Sequence, residues 1–213
     1  SSCFINITGC RFLGAPTTQV SNSLAAILYS SAGTPTNDSN VVIHGNRFEN
    51  GSMGIYLNGI ASLNPENGLI ITDNILLNQY AFGMFLTNHG DLNIVNNTIS
   101  TNTSYTSYTG IELDRSQRAQ LVSKNRISGN VKLGMNFIDC SGYNGTPGIT
   151  ANNFIQATDS IGIRLNNGEY QEFIYNSVNM IGSGSTATEL SGTGIGNRLI
   201  NNVLTNLGGG LAI

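Results

Sequence analysis

One pattern recurs along the whole chain: a short apolar run, then Asn, one free residue and an apolar residue. It reads VVIHGNRF at 41–48, IITDNIL at 70–76, LNIVNNTI at 92–99 and QLVSKNRI at 120–127. It continues as GITANNFI at 148–155, EFIYNSV at 172–178 and RLINNVL at 198–204. The anchors are Asn46, Asn74, Asn97, Asn125, Asn153, Asn176 and Asn202, spaced by 28, 23, 28, 28, 23 and 26 residues. INITGCRF at 5–12 fits the same frame with Cys10 at the anchor, 36 residues before Asn46. Two positions after each anchor stands Phe12, Phe48, Leu76, Ile99, Ile127, Ile155, Val178 or Leu204. Three positions before stands Ile7, Ile43, Ile71, Ile94, Val122, Thr150, Phe173 or Leu199, with Thr150 the weak member.

A second strand follows in each unit. It is Gly54-Ile55-Tyr56-Leu57, Gly83-Met84-Phe85-Leu86, Gly110-Ile111-Glu112-Leu113, Gly134-Met135-Asn136-Phe137 and Gly162-Ile163-Arg164-Leu165. Looser copies lie at 26–29, 187–190 and 210–213. Positions two and four are apolar and position three is free, the period of a strand with one buried face. A unit of about 25 residues cannot bury its own apolar face, so the units must stack as a solenoid. The leucine-rich-repeat pattern is missing, no useful helical periodicity occurs, and a propeller blade needs about 40 residues.

The asparagines supply the corners of each coil. An Asn there adopts a turn conformation and bonds its amide to backbone. With coils about 4.8 Å apart the amides fall one above another, and each donates to the carbonyl of the next. Such a ladder satisfies polar groups otherwise buried without partners. A shorter column follows four residues on, at Asn50, Asn78 and Asn206. Parallel strands joined by consistent crossovers wind right-handed.

Composition agrees. The chain holds 30 Asn and 26 Gly, residues that favour turns and left-handed backbone. Only 10% of residues are charged and the net charge is -3, which gives no case for nucleic acid or an anionic membrane surface. No apolar run is long enough to span a bilayer, and no signal peptide is visible. Cys3, Cys10 and Cys140 show no metal-ligand spacing, and no cofactor or metal is expected. They read as small buried thiols, with a Cys3–Cys10 disulfide left open. The chain starts in a strand-like SSCFINI and stops in GGGLAI, so the expectation is one domain over 1–213 within a longer protein.

These coils resemble the right-handed parallel β-helix repeat of the pectate-lyase-like superfamily, most clearly in NRFENGSMGIYL and NRISGNVKLGMNF. The resemblance covers essentially the whole chain and implies an all-β solenoid of about eight coils with an internal Asn ladder. The superfamily holds pectin and alginate lyases, polygalacturonases, uronan epimerases, tailspikes and adhesins. The segment from Phe173 onward also resembles parts of very large secreted bacterial surface proteins. No catalytic residue carries over: D-D, G-H-G, R-I-K and D-P-H-E motifs are missing, and Asp73, Asp91, Asp114 and Asp139 are dispersed over separate coils.

Candidate functional residues lie on outward positions of the second strand. Tyr56 and Phe85 are stacked neighbours there, and with Asn58, Thr87 and His89 they would form a sugar-binding platform, rings against apolar sugar faces and amides against hydroxyls. Plain cross-strand aromatic packing is the simpler explanation. Glu112 and Asp114 share a strand face about 7 Å apart, with Arg164 two coils on. They are the weak catalytic candidates, as an acid–base pair or a uronate-neutralising site, against a solvated charged strip. His44 and His89 read as turn residues. The loops at 30–39 and 100–110 are expected to bulge outward. The functional expectation is a secreted or cell-surface bacterial module that binds glycan or serves as adhesin or spacer, its partners a polysaccharide and neighbouring domains of its own chain. The alternative is a polysaccharide lyase, hydrolase or epimerase.

Overall fold

A computed structural model of the chain describes residues 4–30, 40–59 and 65–213, and it is a parallel β-helix. Sheet A is built from Ile5–Thr8, Val41–His44, Ile70–Thr72, Asn93–Val95, Leu121–Ser123, Gly148–Ala151, Gln171–Ile174 and Arg198–Ile200. Sheet B is built from Arg11–Leu13, Arg47–Glu49, Ile75–Leu77, Thr98–Thr101, Arg126–Gly129, Phe154–Ala157, Ser177–Met180 and Val203–Asn206. Sheet C is built from Ala25–Ser30, Met53–Asn58, Phe82–Thr87, Thr109–Asp114, Leu133–Ile138, Ile161–Asn166 and Thr186–Ser191. The chain passes A, B, C in every coil, so each strand pairs in parallel with its counterpart one coil away. The only helix among the described residues is the short 3₁₀ turn Asn22–Leu24. The coil count falls slightly short of eight: among the described residues seven coils carry all three strands, and the eighth lacks the third. The expected strand at 210–213 is reduced to one bridge, Leu211 to Thr186.

The ladder forms as the spacing predicts. Asn46, Asn74, Asn97, Asn125, Asn153 and Asn176 are each about 1% exposed or less. The backbone N–H and the side-chain amide of Asn97 both donate to Asn125 Oδ1 at 3.0 Å. Asn125 treats Asn153 in the same way at 2.9 and 3.0 Å. The same amide group also reaches back to the preceding coil, as from Asn125 to Ile94 O at 2.9 Å. The ladder is therefore polar: each amide oxygen accepts from the anchor of the preceding coil, while the backbone N–H and one amide hydrogen donate to the anchor of the next. Cys10 starts it with a backbone donation to Asn46 Oδ1 at 2.8 Å.

The turn conformation belongs to the residue before the anchor, not to the anchor itself. Gly9, Gly45, Asp73, Asn96, Lys124, Asn152, Tyr175 and Asn201 all have positive φ, between 51° and 65°. A left-handed residue there reverses the chain and turns the next side chain inward, where the ladder needs it. The column Asn50, Asn78 and Asn206 is not a second ladder. Asn50 and Asn78 have positive φ and lie on the outer corner between sheets B and C, whereas Asn206 donates to Ser185 O.

Inside, aliphatic files run through all three sheets, and Ile43, Ile71, Ile94 and Val122 from sheet A share one core with Leu76, Ile99 and Ile127 from sheet B. The weak member, Thr150, still points inward and is 1% exposed. The glycines that open the sheet C motif explain how closely these files pack. A Cβ on Gly54, Gly83, Gly110, Gly134 or Gly162 would stand 2.4–2.7 Å from a carbonyl oxygen of the next coil. It would also strike Leu76, Ile99, Ile127, Ile155 or Val178 of sheet B.

Cys10 is exposed and Cys140 buried, both as free thiols. Cys3 lies outside the described residues, as does most of the expected loop at 30–39. The other expected loop, 100–110, begins in sheet B, continues over exposed residues such as Asn102 and Ser104, and re-enters the core at Tyr108.

Candidate functional site

Sheet C has the longest strands, six residues in each of its seven members, and its outer face carries the predicted functional residues. Strand register sets them in one file: Tyr56, Phe85, Glu112, Asn136, Arg164 and Glu189. A parallel file holds Asn58, Thr87, Asp114, Ile138, Asn166 and Ser191.

The Tyr56 and Phe85 rings are half-buried and stacked, 5.3 Å between centroids and 15° from parallel. Phe82 meets Phe85 edge-on at 5.1 Å. Beside them the Thr87 hydroxyl donates to Asn58, and Asn88 donates to Gly59 O. The structure thus brings together Tyr56, Phe85, Asn58 and Thr87, although Thr87 is only 4% exposed.

His89 is not part of this surface. After Thr87 the chain turns through Asn88, whose φ is 59°, and aims His89 into the interior. There His89–Gly90 pairs with Glu66–Asn67, a small fourth ladder between sheets C and A that the sequence did not announce. His89 Nδ1 lies 3.9 Å from Glu66 Oε2, and both side chains are almost wholly buried. Burial pushes the imidazole down from 6.5 to about 4, with a bond to the Leu57 backbone offsetting part of the shift. The sign follows from linkage. The unfolded chain takes up the proton at higher pH than the folded one, so the full contribution to stability is present above about pH 6.5. It is lost as the pH falls from there toward 4. Urea unfolding midpoints measured between pH 7 and pH 4 are expected to fall steeply in the native chain and much less in His89→Gln.

The charged residues higher on the face do not assemble into one centre. Glu112 accepts from Asn136 at 3.0 Å, Asp114 pairs with Arg115 at 2.7 Å, and Arg164 pairs with Glu189 at 3.0 Å. Burial raises the Glu112 carboxyl, against the bond from Asn136 and with a further push from Asp114. Burial also raises Asp114, with Arg115 opposing it. Both carboxyls therefore hold protons more firmly than free ones, yet each is engaged with a different neighbour. His44 is an exposed corner residue, its Nδ1 2.9 Å from the Thr72 hydroxyl and 3.2 Å from Asp73. Among the described residues no three His, Cys, Asp or Glu side chains gather where they could hold a metal ion. No helix among them is long and apolar enough to cross a membrane.

No curated protein and no solved structure matches the chain. The model of the family described as "Periplasmic copper-binding protein (NosD)" matches residues 6–207. That match runs from the first strand of sheet A to just past the last strand of sheet B, and the chain belongs to the NosD family.

Proposed function

We propose that this chain is a periplasmic or surface β-helix module that binds glycan on the outer face of sheet C. The family is described as periplasmic, which supports a place outside the cytoplasm. The observation that carries the proposal is the Tyr56–Phe85 pair. Two rings lie nearly parallel on adjacent coils, each partly exposed, with the partly exposed Asn58 amide alongside. Flat aromatic surface packs on the apolar faces of sugar rings, and amides and hydroxyls satisfy sugar hydroxyls. The likeness of the coils to pectate-lyase-like repeats and to bacterial surface proteins supports the same ligand class.

The family description also names copper. Copper takes imidazole, thiolate and thioether donors. Here Met53, Met84, Met135 and Met180 are core residues, and Cys140 is buried with its thiol pushed up to about 12. His44 and His89 lie on opposite sides of the surface, one exposed and one enclosed. Cys10 is an exposed thiol, but among the described residues it joins no group of three His, Cys, Asp or Glu side chains, so these residues do not fit a copper centre and the proposal is built without one.

Tyr56→Ala and Phe85→Ala are each expected to weaken binding to a retained polysaccharide at least several-fold in affinity electrophoresis, with circular dichroism unchanged. Binding that survives both substitutions would remove the platform. Release of reducing ends or unsaturated uronate, abolished by Glu112→Gln, would replace binding by catalysis.

A further inference from the structure

The corner between sheets B and C, one turn before the aromatic platform, holds a cleft of about 330 Å³. Its walls include Thr17, Asn50, Asn78, Tyr80, Asn102 and Thr103, and no Lys, Arg, His, Asp or Glu contributes to it. Asn50 and Asn78 stand at equivalent positions of adjacent coils, each directly after a paired residue of sheet B. Both have left-handed backbone, and neither side-chain amide is bonded to another group among the described residues. One wall is aromatic: Tyr80 lies against Tyr105 at 5.0 Å and 36°. Tyr80 is two residues from Phe82, whose ring touches Phe85, so cleft and platform are joined by one stretch of chain.

We propose that this cleft is a second glycan subsite, and that the polymer it takes is an uncharged polysaccharide. The inference rests on the glycan-binding proposal above and narrows it. The unbonded Asn50 and Asn78 amides, with the Thr17 and Thr103 hydroxyls that accept from backbone N–H groups and can still donate, match the donors and acceptors of sugar hydroxyls, and the tyrosine wall matches a sugar face. A uronate, sulfated or phosphorylated polymer would ask for Arg or Lys, and none lines the cleft. The next residue beyond Phe85 on the same file is Glu112, whose carboxylate form repels an anionic chain. Arg164 and Arg115 are already neutralised by Glu189 and Asp114. The wall residues come from four successive coils, a length of about 14 Å at the spacing of stacked strands. That length suits several consecutive sugars rather than a single one.

The test is binding of the whole chain to neutral glucans, galactans and mannans and to pectate and alginate, by affinity electrophoresis and calorimetry. Asn78→Ala, Tyr80→Ala and Phe85→Ala are compared after circular dichroism and melting confirm folding. The expected result is retention by a neutral polymer, insensitive to salt, with Asn78→Ala and Tyr80→Ala each losing up to about ten-fold in affinity. Salt-sensitive binding to pectate or alginate alone would overturn the neutral specificity and leave the glycan reading standing. Neutral binding that depends on Phe85 but not on Asn78 or Tyr80 would overturn the cleft and leave the platform. Binding to none of the polymers would overturn both.

Discussion

Replacing Asn125 by Ala is expected to destabilise the protein by about 3–5 kcal/mol, a loss that the equally bonded anchors Asn74, Asn97 and Asn153 should share. The amide of Asn125 donates to Ile94 O and Asn153 Oδ1, and its oxygen accepts twice from Asn97. Alanine removes all four bonds. It takes away the acceptor that the buried Asn97 N–H uses. A buried donor stripped of its acceptor costs about 1–3 kcal/mol, and more than one group is stripped here. Asn125→Asp keeps the acceptor but loses the donors and places a charge in the interior, so it should be no better. Asn202→Ala is the graded comparison. Asn202 is only partly buried and passes no bond to a further coil, so its loss should be clearly smaller. Chemical denaturation with matched slopes measures all three.

The second large effect is expected at Gly110. A methyl group there would lie 2.6 Å from Gly134 O and 2.8 Å from Ile127 Cγ2. The first contact is with backbone in the sheet, which cannot yield without breaking register with the next coil. The second presses on the aliphatic file of sheet B. Gly110→Ala should therefore cost about 3 kcal/mol, although alanine has no unfavourable φ to adopt at this position. Gly134→Ala should behave alike, since its neighbours stand just as close. The corresponding residue of the last full coil is already Ala187, where the strand that would lie above it is reduced to the single bridge at Leu211. A melting temperature unchanged in Gly110→Ala would mean that sheets B and C are packed less tightly than described.

The solenoid, the inward files and the ladder were legible because each is a strict period: a buried face repeats every second residue within strands, and one Asn repeats per coil. What escaped follows from departures from that period. Strand alternation extended past Thr87 puts His89 outside, but the left-handed Asn88 reverses the chain and sends His89 inside. The partner it meets, Glu66, opens a file that continues by single bridges through Gly90, Gln117, Ser141 and Glu169, residues that share no sequence pattern. The left-handed file before the anchors was hidden by its mixed composition, since Lys124 and Tyr175 occupy positions that Gly, Asn and Asp hold elsewhere. The Glu112, Asp114 and Arg164 strip was read correctly as one face, but its pairing was not readable. Each side chain took the nearest partner, Asn136, Arg115 or Glu189, and spacing alone does not rank those contacts. The neutral cleft was foreshadowed only by the column Asn50 and Asn78, which looked like a ladder until its left-handed backbone placed it on the corner.

Hydrogen exchange at the anchor amides tests the central claim, that one continuous amide ladder runs through the coils. The backbone N–H groups of Asn74, Asn97, Asn125 and Asn153 each donate to the next amide oxygen, at 3.0–3.1 or 2.9 Å. They are expected to exchange only with global unfolding, while the Asn202 N–H, beyond the last rung, exchanges early. Rapid exchange at the four interior anchors while neighbouring sheet amides stay protected would contradict the ladder.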